Sequence, residues 1–240
     1  MYIQYGLDAP LVIRNLLIAG VTLYIISYTM YALLDPWHHT VATFVYWSTL
    51  LSAFSYLLPV PLMIWSSLYG KYKTIRKIIA NMPLKGNETI LDVGCGRGIF
   101  LIEAAQRLTT GKAIGIDIWD NRDQSQNSQA QTDNNVQQAG ITNRVTIKTA
   151  DMRHLPFSDA TFDLIISSLA IHNIAEQVGR EKALTEIIRV LKPGGKFIIL
   201  DFQHTKQYYD FLNHSCSSIK RSPLIFSMFP PVRTIEGTKV

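Results

Sequence analysis

Two patterns of apolar and polar positions divide the chain. Leu11 to Leu34 reads LVIRNLLIAGVTLYIISYTMYALL, and Val41 to Trp65 reads VATFVYWSTLLSAFSYLLPVPLMIW. Neither stretch carries the polar stripe of a helix lying half-buried on a soluble core. A helix rises about 1.5 Å per residue and roughly 20 residues cross a hydrocarbon core, so both are long enough to span a membrane. Two spans, residues 11–34 and 41–65, are expected, joined by the connector Asp35–Thr40. Pro59 and Pro61 would bend the second span near its exit, which membrane helices tolerate where the freed carbonyls find partners. Arg14 lies near one end, within snorkelling reach of headgroups. A cleaved signal peptide competes for the first stretch, but no basic region precedes it and it is too long. A buried hairpin in a soluble fold is the other competitor, and the scarcity of bordering charge speaks against it.

From residue 88 the pattern changes to short apolar runs alternating with helical periodicity. Strands are expected at Thr89–Val93, Ala113–Ile118, Val145–Thr149, Phe162–Ser167 and Lys196–Asp201, with helices over Ile99–Leu108 and Arg180–Leu191. In the second helix Ala183, Leu184, Ile187, Ile188 and Leu191 share a face, and Lys192-Pro193-Gly194-Gly195 stops it. This alternation predicts an α/β fold, a doubly wound, mostly parallel sheet that binds its ligand at the carboxyl ends of the strands. The polar stretch Asp120–Gln138 should hold part of a helix, the rest being an exposed, solvated connection rather than a lid. No internal repeat is present.

Charge sharpens the division. Charged residues are only 17% of the chain, against about a quarter in soluble domains. Of 23 Lys and Arg, only Arg14 precedes Lys71, and Pro36 to Gly70 carries no charged residue. The chain thus reads as a transmembrane hairpin over 1–70, a basic linker or helix over 71–87, and a catalytic domain over 88–240. Lys71, Lys73, Arg76 and Lys77 directly after an apolar segment mark a cytoplasmic membrane flank, where they would meet anionic headgroups. The connector has no Lys or Arg, so both ends of the hairpin, and the domain, are expected in the cytoplasm. A sequence pI near 9.1 suggests nucleic acid, but the basic residues form no other cluster, so no nucleic-acid partner is expected. Cys95 and Cys216 supply neither a disulfide framework nor zinc spacing, and no metal is expected.

The most informative stretch is Ile90-Leu91-Asp92-Val93-Gly94-Cys95-Gly96-Arg97-Gly98, a buried strand running into alternate glycines. Glycine lets a ligand approach the backbone and permits positive φ. The dinucleotide fingerprint is G-x-G-x-x-G; here the spacing is G-x-G-x-G, preceded by Asp92, and a carboxylate suits a cationic ligand better than a pyrophosphate. With ILDVGCGRG stand Gly115-Ile116-Asp117-Ile118, Thr149-Ala150-Asp151-Met152, Phe162-Asp163-Leu164-Ile165-Ile166-Ser167-Ser168 and Leu191-Lys192-Pro193-Gly194-Gly195, in that order. Together they resemble the class I S-adenosylmethionine-dependent methyltransferases (type 11-like), over about Glu88 to Asp201. The apolar N-terminal stretches lie outside the usual pattern and are similar to those of a membrane-attached subgroup.

The resemblance implies a Rossmann-like domain with S-adenosylmethionine as cofactor. It implies that the backbone of Gly94, Cys95, Gly96 and Gly98 wraps the methionine part, with Asp92 ordering the turn or lying near the amino group. Asp117 would accept hydrogen bonds from both ribose hydroxyls. Asp151 would meet the adenine amino group, Met152 would offer its amide to the ring, and Ile118 and Ser168 complete the site. Cys95 read from the residues alone is a packed small side chain, and Asp117 a helix cap or surface acid. Methyl transfer takes its electrophile ready-made from the cofactor, so a general base is needed only where the acceptor holds its proton. His172 and Asn173 after the fourth strand, and Asp201 and His204 after the fifth, are candidates, with His172 and His204 put forward as catalytic; the bland alternative is that both are ordinary loop residues. The Asn-Pro-Pro-Tyr signature of base-amino methylases is absent, and two cysteines do not suit arsenite methylation. A small or lipidic acceptor at the membrane surface is the favoured substrate, membrane lipids being partners. The apolar tail Pro223–Pro231 would either contact such an acceptor or pack as the last strands of the sheet. The alternatives are a nicotinamide-dependent oxidoreductase and a non-catalytic cofactor-binding protein.

Overall fold

The computed structural model describes residues 5–120, 124 and 126–240. Among these, seven strands form one sheet in the order β3-β2-β1-β4-β5-β7-β6. The strands are β1 (Thr89–Val93), β2 (Lys112–Asp117), β3 (Val145–Thr149), β4 (Phe162–Ser168), β5 (Leu191–Asp201), β6 (Cys216–Arg221) and β7 (Arg233–Lys239). β1 to β5 pair in parallel, and β7 runs antiparallel between β5 and β6. The order reverses between β1 and β4, which puts the crevice of a doubly wound sheet at their carboxyl ends.

Strand side chains alternate between two cores. On one face Ile90, Leu164, Ile166, Ile198 and Leu200 pack against helices α3 (Lys71–Ala80), α4 (Ile99–Ala105) and α5 (Gln129–Gln138), through Ile75, Ile79, Phe100 and Val136 among others. On the other, Leu91, Val93, Ile165, Phe197 and Ile199 meet α6 (Gln177–Val190) and α7 (Thr205–Leu212) through Leu184, Ile187 and Tyr208. The helical face expected on α6 is the one that packs, with Ala183, Leu184 and Ile187 fully buried. Helix α6 ends one residue before the expected Leu191, which is already extended and pairs with Phe162. Helix α4 stops at Ala105, three residues short of Leu108. The stretch 71–87 supplies α3, whose Ile75 and Ile79 lie in the first core.

The N-terminal stretch departs from the expected spans. A single helix, α1, runs from Pro10 to Leu57 and α2 from Pro59 to Trp65; the connector Asp35–Thr40 is helical except at His38 (φ −146°, ψ 65°). Pro36, which lacks an N–H, lies two residues before this break. The Ser27 hydroxyl donates to the Tyr46 carbonyl at 2.9 Å, Tyr31 and Tyr46 rings lie 5.3 Å apart, and Gly20 packs against Leu57 and Ala53. The helical run is long and apolar enough to cross a membrane, and only 11% of its most apolar stretch is buried. One π turn, Ser66–Gly70, joins α2 to α3.

The tail Pro223–Pro231 is not a strand but the β6–β7 connection, held by an isolated bridge between Ile225 and Val232. Of the polar stretch Asp120–Gln138, expected in part as a solvated connection, residues 121–123 and 125 lie outside the described residues; the remainder contains α5, opened by a Ser128 cap that accepts from the Gln131 amide.

Gly115 in the middle of β2 leaves room for the turn beyond β1: a Cβ there would lie 2.7 Å from Leu101 and 2.9 Å from Cys95 Sγ. Gly115→Ala should therefore lower stability by about 1–3 kcal/mol, the usual cost of overpacking, measured as a fall in the melting temperature of the detergent-solubilised chain.

Candidate functional site

The turn after β1 is fastened from both sides. The amides of Gly94 and Cys95 both donate to the Ile116 carbonyl at 2.9 Å, and the Gly96 amide donates to Asp117 Oδ2 at 2.8 Å. A Cβ on Gly94 (φ +72°) would lie 2.3 Å from that of Ala170, and one on Gly96 (φ +48°) would lie 2.5 Å from Gln124 Oε1. Other side chains would strain the left-handed backbone and fill the same space. Behind the turn α5 turns polar groups inward: Thr132 Oγ1 donates to the Gly96 carbonyl (2.7 Å) and Asn135 Nδ2 to that of Arg97 (2.9 Å). Cys95 is buried with its sulfur against Gly115, the packed small side chain anticipated. Gly98 caps the start of α4.

The sequence-predicted residues gather at this edge. The second Asp117 oxygen accepts from the Trp119 amide (2.6 Å) and from Asn127 Nδ2 (3.2 Å). Ile118 beside it is 62% exposed, an apolar face turned outward at the end of β2. Met152 reaches the turn, its methyl lying 3.3 Å from where a Gly94 Cβ would stand. Asp151 is drawn aside: both oxygens are held by the Arg153 guanidinium, Oδ1 also by its amide, and that hydrogen bonding keeps the carboxyl below its ordinary range.

Several polar atoms here are buried with no hydrogen-bond partner among the described residues: both oxygens of Asp92, Asn127 Oδ1 and Ser168 Oγ. Asp92 is 1% exposed, and burial pushes its carboxyl well above the ordinary range; the nearby Leu101 amide offsets part of this and the Asp117 charge adds to it. A buried, unpaired carboxylate is expensive, and a cation or hydrogen-bond donor brought against it would relieve the cost.

At the ends of β4 and β5 a second cluster forms. His172, in the turn Ile171–Asn173, places Nδ1 2.8 Å from Oδ1 of Asp201, which is fully buried. Asp201 also accepts from the amides of Phe202 (2.8 Å) and His172 (3.3 Å) and from the Tyr208 hydroxyl (3.4 Å). The His172 ring stands edge-on to Phe202, centroids 4.5 Å apart. The carboxylate stands beside one ring nitrogen without the alignment of a hydrogen bond, and it holds the residue through its backbone amide; the ring can then handle a proton. His204 stands at the N-terminal end of α7 and makes no ion pair among the described residues; burial, and then the Arg180 charge, lower its pKa, which the Asp201 charge partly offsets. Asn173 is exposed.

Three residues with roles at this edge escaped the sequence. Gln124 accepts from the Arg97 amide (3.0 Å) and donates to the Tyr5 carbonyl (2.8 Å), and it forms a bridge with Asp8. Asp8 pairs at 2.6 Å with Lys71, which is 3% exposed. Lys71 was expected at the headgroups with Lys73, Arg76 and Lys77; its pairing with Asp8 removes it from that group, because a buried ammonium needs a close partner. The signal available was slight: Asp8 is one of two acids ahead of Lys71, and nothing in its spacing shows that the two meet.

Residues 84–228 match the family described as a methyltransferase domain. The chain belongs to this family. It is 33% identical over 140 residues to a demethylmenaquinone methyltransferase of Lactiplantibacillus plantarum, covering 58% of this chain and 55% of that one. It is 33% identical over 144 residues to a sterol 4-C-methyltransferase of Caenorhabditis elegans, covering 57% and 40%. The chain thus spans about half the length of the curated relatives it matches. Among solved structures, a S-adenosylmethionine-dependent methyltransferase of Aquifex aeolicus superposes with a TM-score of 0.57 at 19% identity, over 76% of this chain and 98% of that one, a likeness of fold. The chain therefore carries the methyltransferase domain of that family, on the fold that the Aquifex aeolicus structure shares.

Asp92 gives a pH signature. Its pKa is raised on folding, so the folded state holds a proton that the unfolded state releases above about 3.8, and stability falls as pH rises from there through the raised value. In Asp92→Asn this loss should disappear. Thermal unfolding of the cofactor-free protein from pH 4 upward should show the wild type losing stability relative to the variant; parallel curves would contradict it.

Proposed function

We propose that the chain is an S-adenosylmethionine-dependent methyltransferase that acts on an apolar, membrane-partitioning acceptor, with residues 11–65 as a membrane hairpin whose ends both face the cytoplasm. The observation that carries this reading is where the apolar run meets the domain. The Phe229 amide donates to Ser66 Oγ at 2.8 Å, and Asp8 joins Ser67 and Lys71 to Gln124 above the glycine turn. The run thus ends on the sheet edge that carries Asp92, Asp117 and Asp201, not on a distant surface. The names of the relatives support the acceptor class, since menaquinones and sterols are both apolar. Lys73, Arg76 and Lys77, exposed after the apolar run, suit an anionic cytoplasmic leaflet.

The residues at the turn fit the cofactor. Gly94 and Gly96 leave a cradle that a Cβ would fill, and the unpaired Asp92 carboxylate suits a positively charged amino acid moiety. In this reading Asp117 takes the ribose hydroxyls, Ile118 lies against the adenine, and Met152 offers its amide to the ring. Asp151 reaches the adenine amino group while still held by Arg153, and Ser168 Oγ and Asn127 Oδ1 supply the remaining hydrogen bonds. Bound S-adenosylmethionine supplies a methyl group on a sulfonium, already activated for displacement. The chain then has to hold the acceptor in line and keep water out, and alignment of this kind is worth about 7–11 kcal/mol of barrier. His172, held by Asp201, accepts a proton from an acceptor that carries one, as a phenol-like ring does. His204, without that support, is the weaker base.

Asp117→Ala should weaken S-adenosylmethionine binding by about 1–3 kcal/mol through lost hydrogen bonds, read by calorimetry on a variant whose melting temperature confirms folding. Unchanged affinity would remove Asp117 from the site.

Incubation with radiolabelled S-adenosylmethionine and a membrane extract should place label in the lipid fraction. His172→Ala should reduce that label rate by about 10²–10⁴-fold, with cofactor affinity intact. Label found only in protein or aqueous fractions would sink the lipidic acceptor.

A further inference from the structure

The β6–β7 connection is built in two registers. Met228 is buried in the first core and Ile225 packs against it, while Leu224 and Phe226 turn outward, Phe226 being 72% exposed. The outward pair does not sit on a loose loop. Besides the Ser66–Phe229 hydrogen bond, Thr74 Oγ1 and Ser227 Oγ share one at 2.7 Å, and Gly70 approaches so closely that a Cβ would lie 2.0 Å from the Ser227 carbonyl oxygen. Three successive turns of one helix thus grip the connection.

Those turns have the composition of a membrane–water boundary. Trp65, Leu68, Tyr69 and Tyr72 are all exposed, and amphipathic aromatic rings favour the headgroup level. The cations Lys73, Arg76 and Lys77 follow directly. Trp65 flanks the same join, its ring 3.3 Å from where a Gly70 Cβ would stand, so Phe226 lies on a segment gripped at the base of the apolar run where these aromatic residues begin. The strand register places this on the reactive side: Arg233 at the start of β7 pairs with Asp201, so the connection lies at the carboxyl end of β5.

We propose that Leu224 and Phe226 form a second membrane foothold, seated in the interfacial zone of the leaflet from which the N-terminal hairpin emerges. The partner is the lipid bilayer, and the proposal rests on the hairpin reading above. Two attachments hold a rigid body more firmly in orientation than one, and here both lie on the edge that carries His172 and Asp201. The site therefore opens toward the bilayer surface, where an apolar acceptor is concentrated.

The test uses the full-length chain, with Cys216→Ser, reconstituted into vesicles of phosphatidylcholine and phosphatidylglycerol. A thiol-reactive fluorophore is placed at Phe226→Cys and, in a separate protein, at Phe44→Cys on the apolar run; both sites are exposed, so the label adds no core strain. The label at 226 should lose emission to a quencher attached near the lipid headgroups and be shielded from aqueous iodide. Quenching by iodide without quenching by lipid would overturn the foothold, and so would shielding from both quenchers, which would mean that protein covers the loop. The label at 44 reports on the hairpin independently. If it is quenched by deep lipid quenchers while 226 stays in water, the hairpin reading stands and the foothold falls. If 44 itself lies in water, the hairpin reading fails whatever 226 shows.

Discussion

Everything at the reactive edge depends on one short-range constraint, the pinning of the turn after β1 onto the end of β2. A single carbonyl, that of Ile116, takes two amides, and the Asp117 carboxylate takes a third. These bonds spend the donors of the first residues in the turn on the neighbouring strand. The backbone is then held open in a conformation that glycine alone adopts without strain. Thr132 and Asn135 repeat the device from behind, so the cradle is rigid before any ligand arrives. Rigidity of this kind suits a displacement reaction, in which the protein contributes alignment more than chemistry.

The sheet and this turn were legible because each announces itself locally. β1 and β3 begin and end at the bounds that their short apolar runs predict, and Ala183, Leu184 and Ile187 repeat with helical spacing onto the core. What escaped was carried by contacts between distant parts of the chain. Gln124 looks like any residue of a polar connection until Tyr5 and Asp8 are placed beside it. Lys71 reads as one of four surface cations until its carboxylate partner, 63 residues earlier, is known. β6 and β7 have no apolar run to mark them; β7 forms by pairing antiparallel with β5, and β6 by pairing with β7 at the edge of the sheet. The dyad is intermediate: His172 and Asp201 were placed by their strand ends, but their pairing needed the sheet.

The join between the apolar run and the domain reorganises how the molecule is divided. Composition changes abruptly near residue 70, whereas packing does not: Ser66, Ser67 and Gly70 are buried against the domain, and α3 continues the same helical run into the first core. A change in solvent preference and a change in mechanical unit therefore fall at different places. The helix leaves the apolar environment while already locked to the sheet, so no flexible tether separates the two parts at that point.

The π turn at Ser66–Gly70 gives this lock its phase. The residues facing the domain recur every fourth position, as Ser66, Gly70 and Thr74 and as Ser67, Lys71, Ile75 and Ile79. An α-helix advances about 100° per residue, so a stripe of period four precesses by about 40° at each repeat. Left alone, the contact line would wind away from the domain within three repeats. One extra residue in a widened turn sets the helix back by about one residue's rotation and restores the azimuth. Deleting a single residue there would leave the composition of both parts intact yet swing the entire N-terminal run about its own axis relative to the sheet.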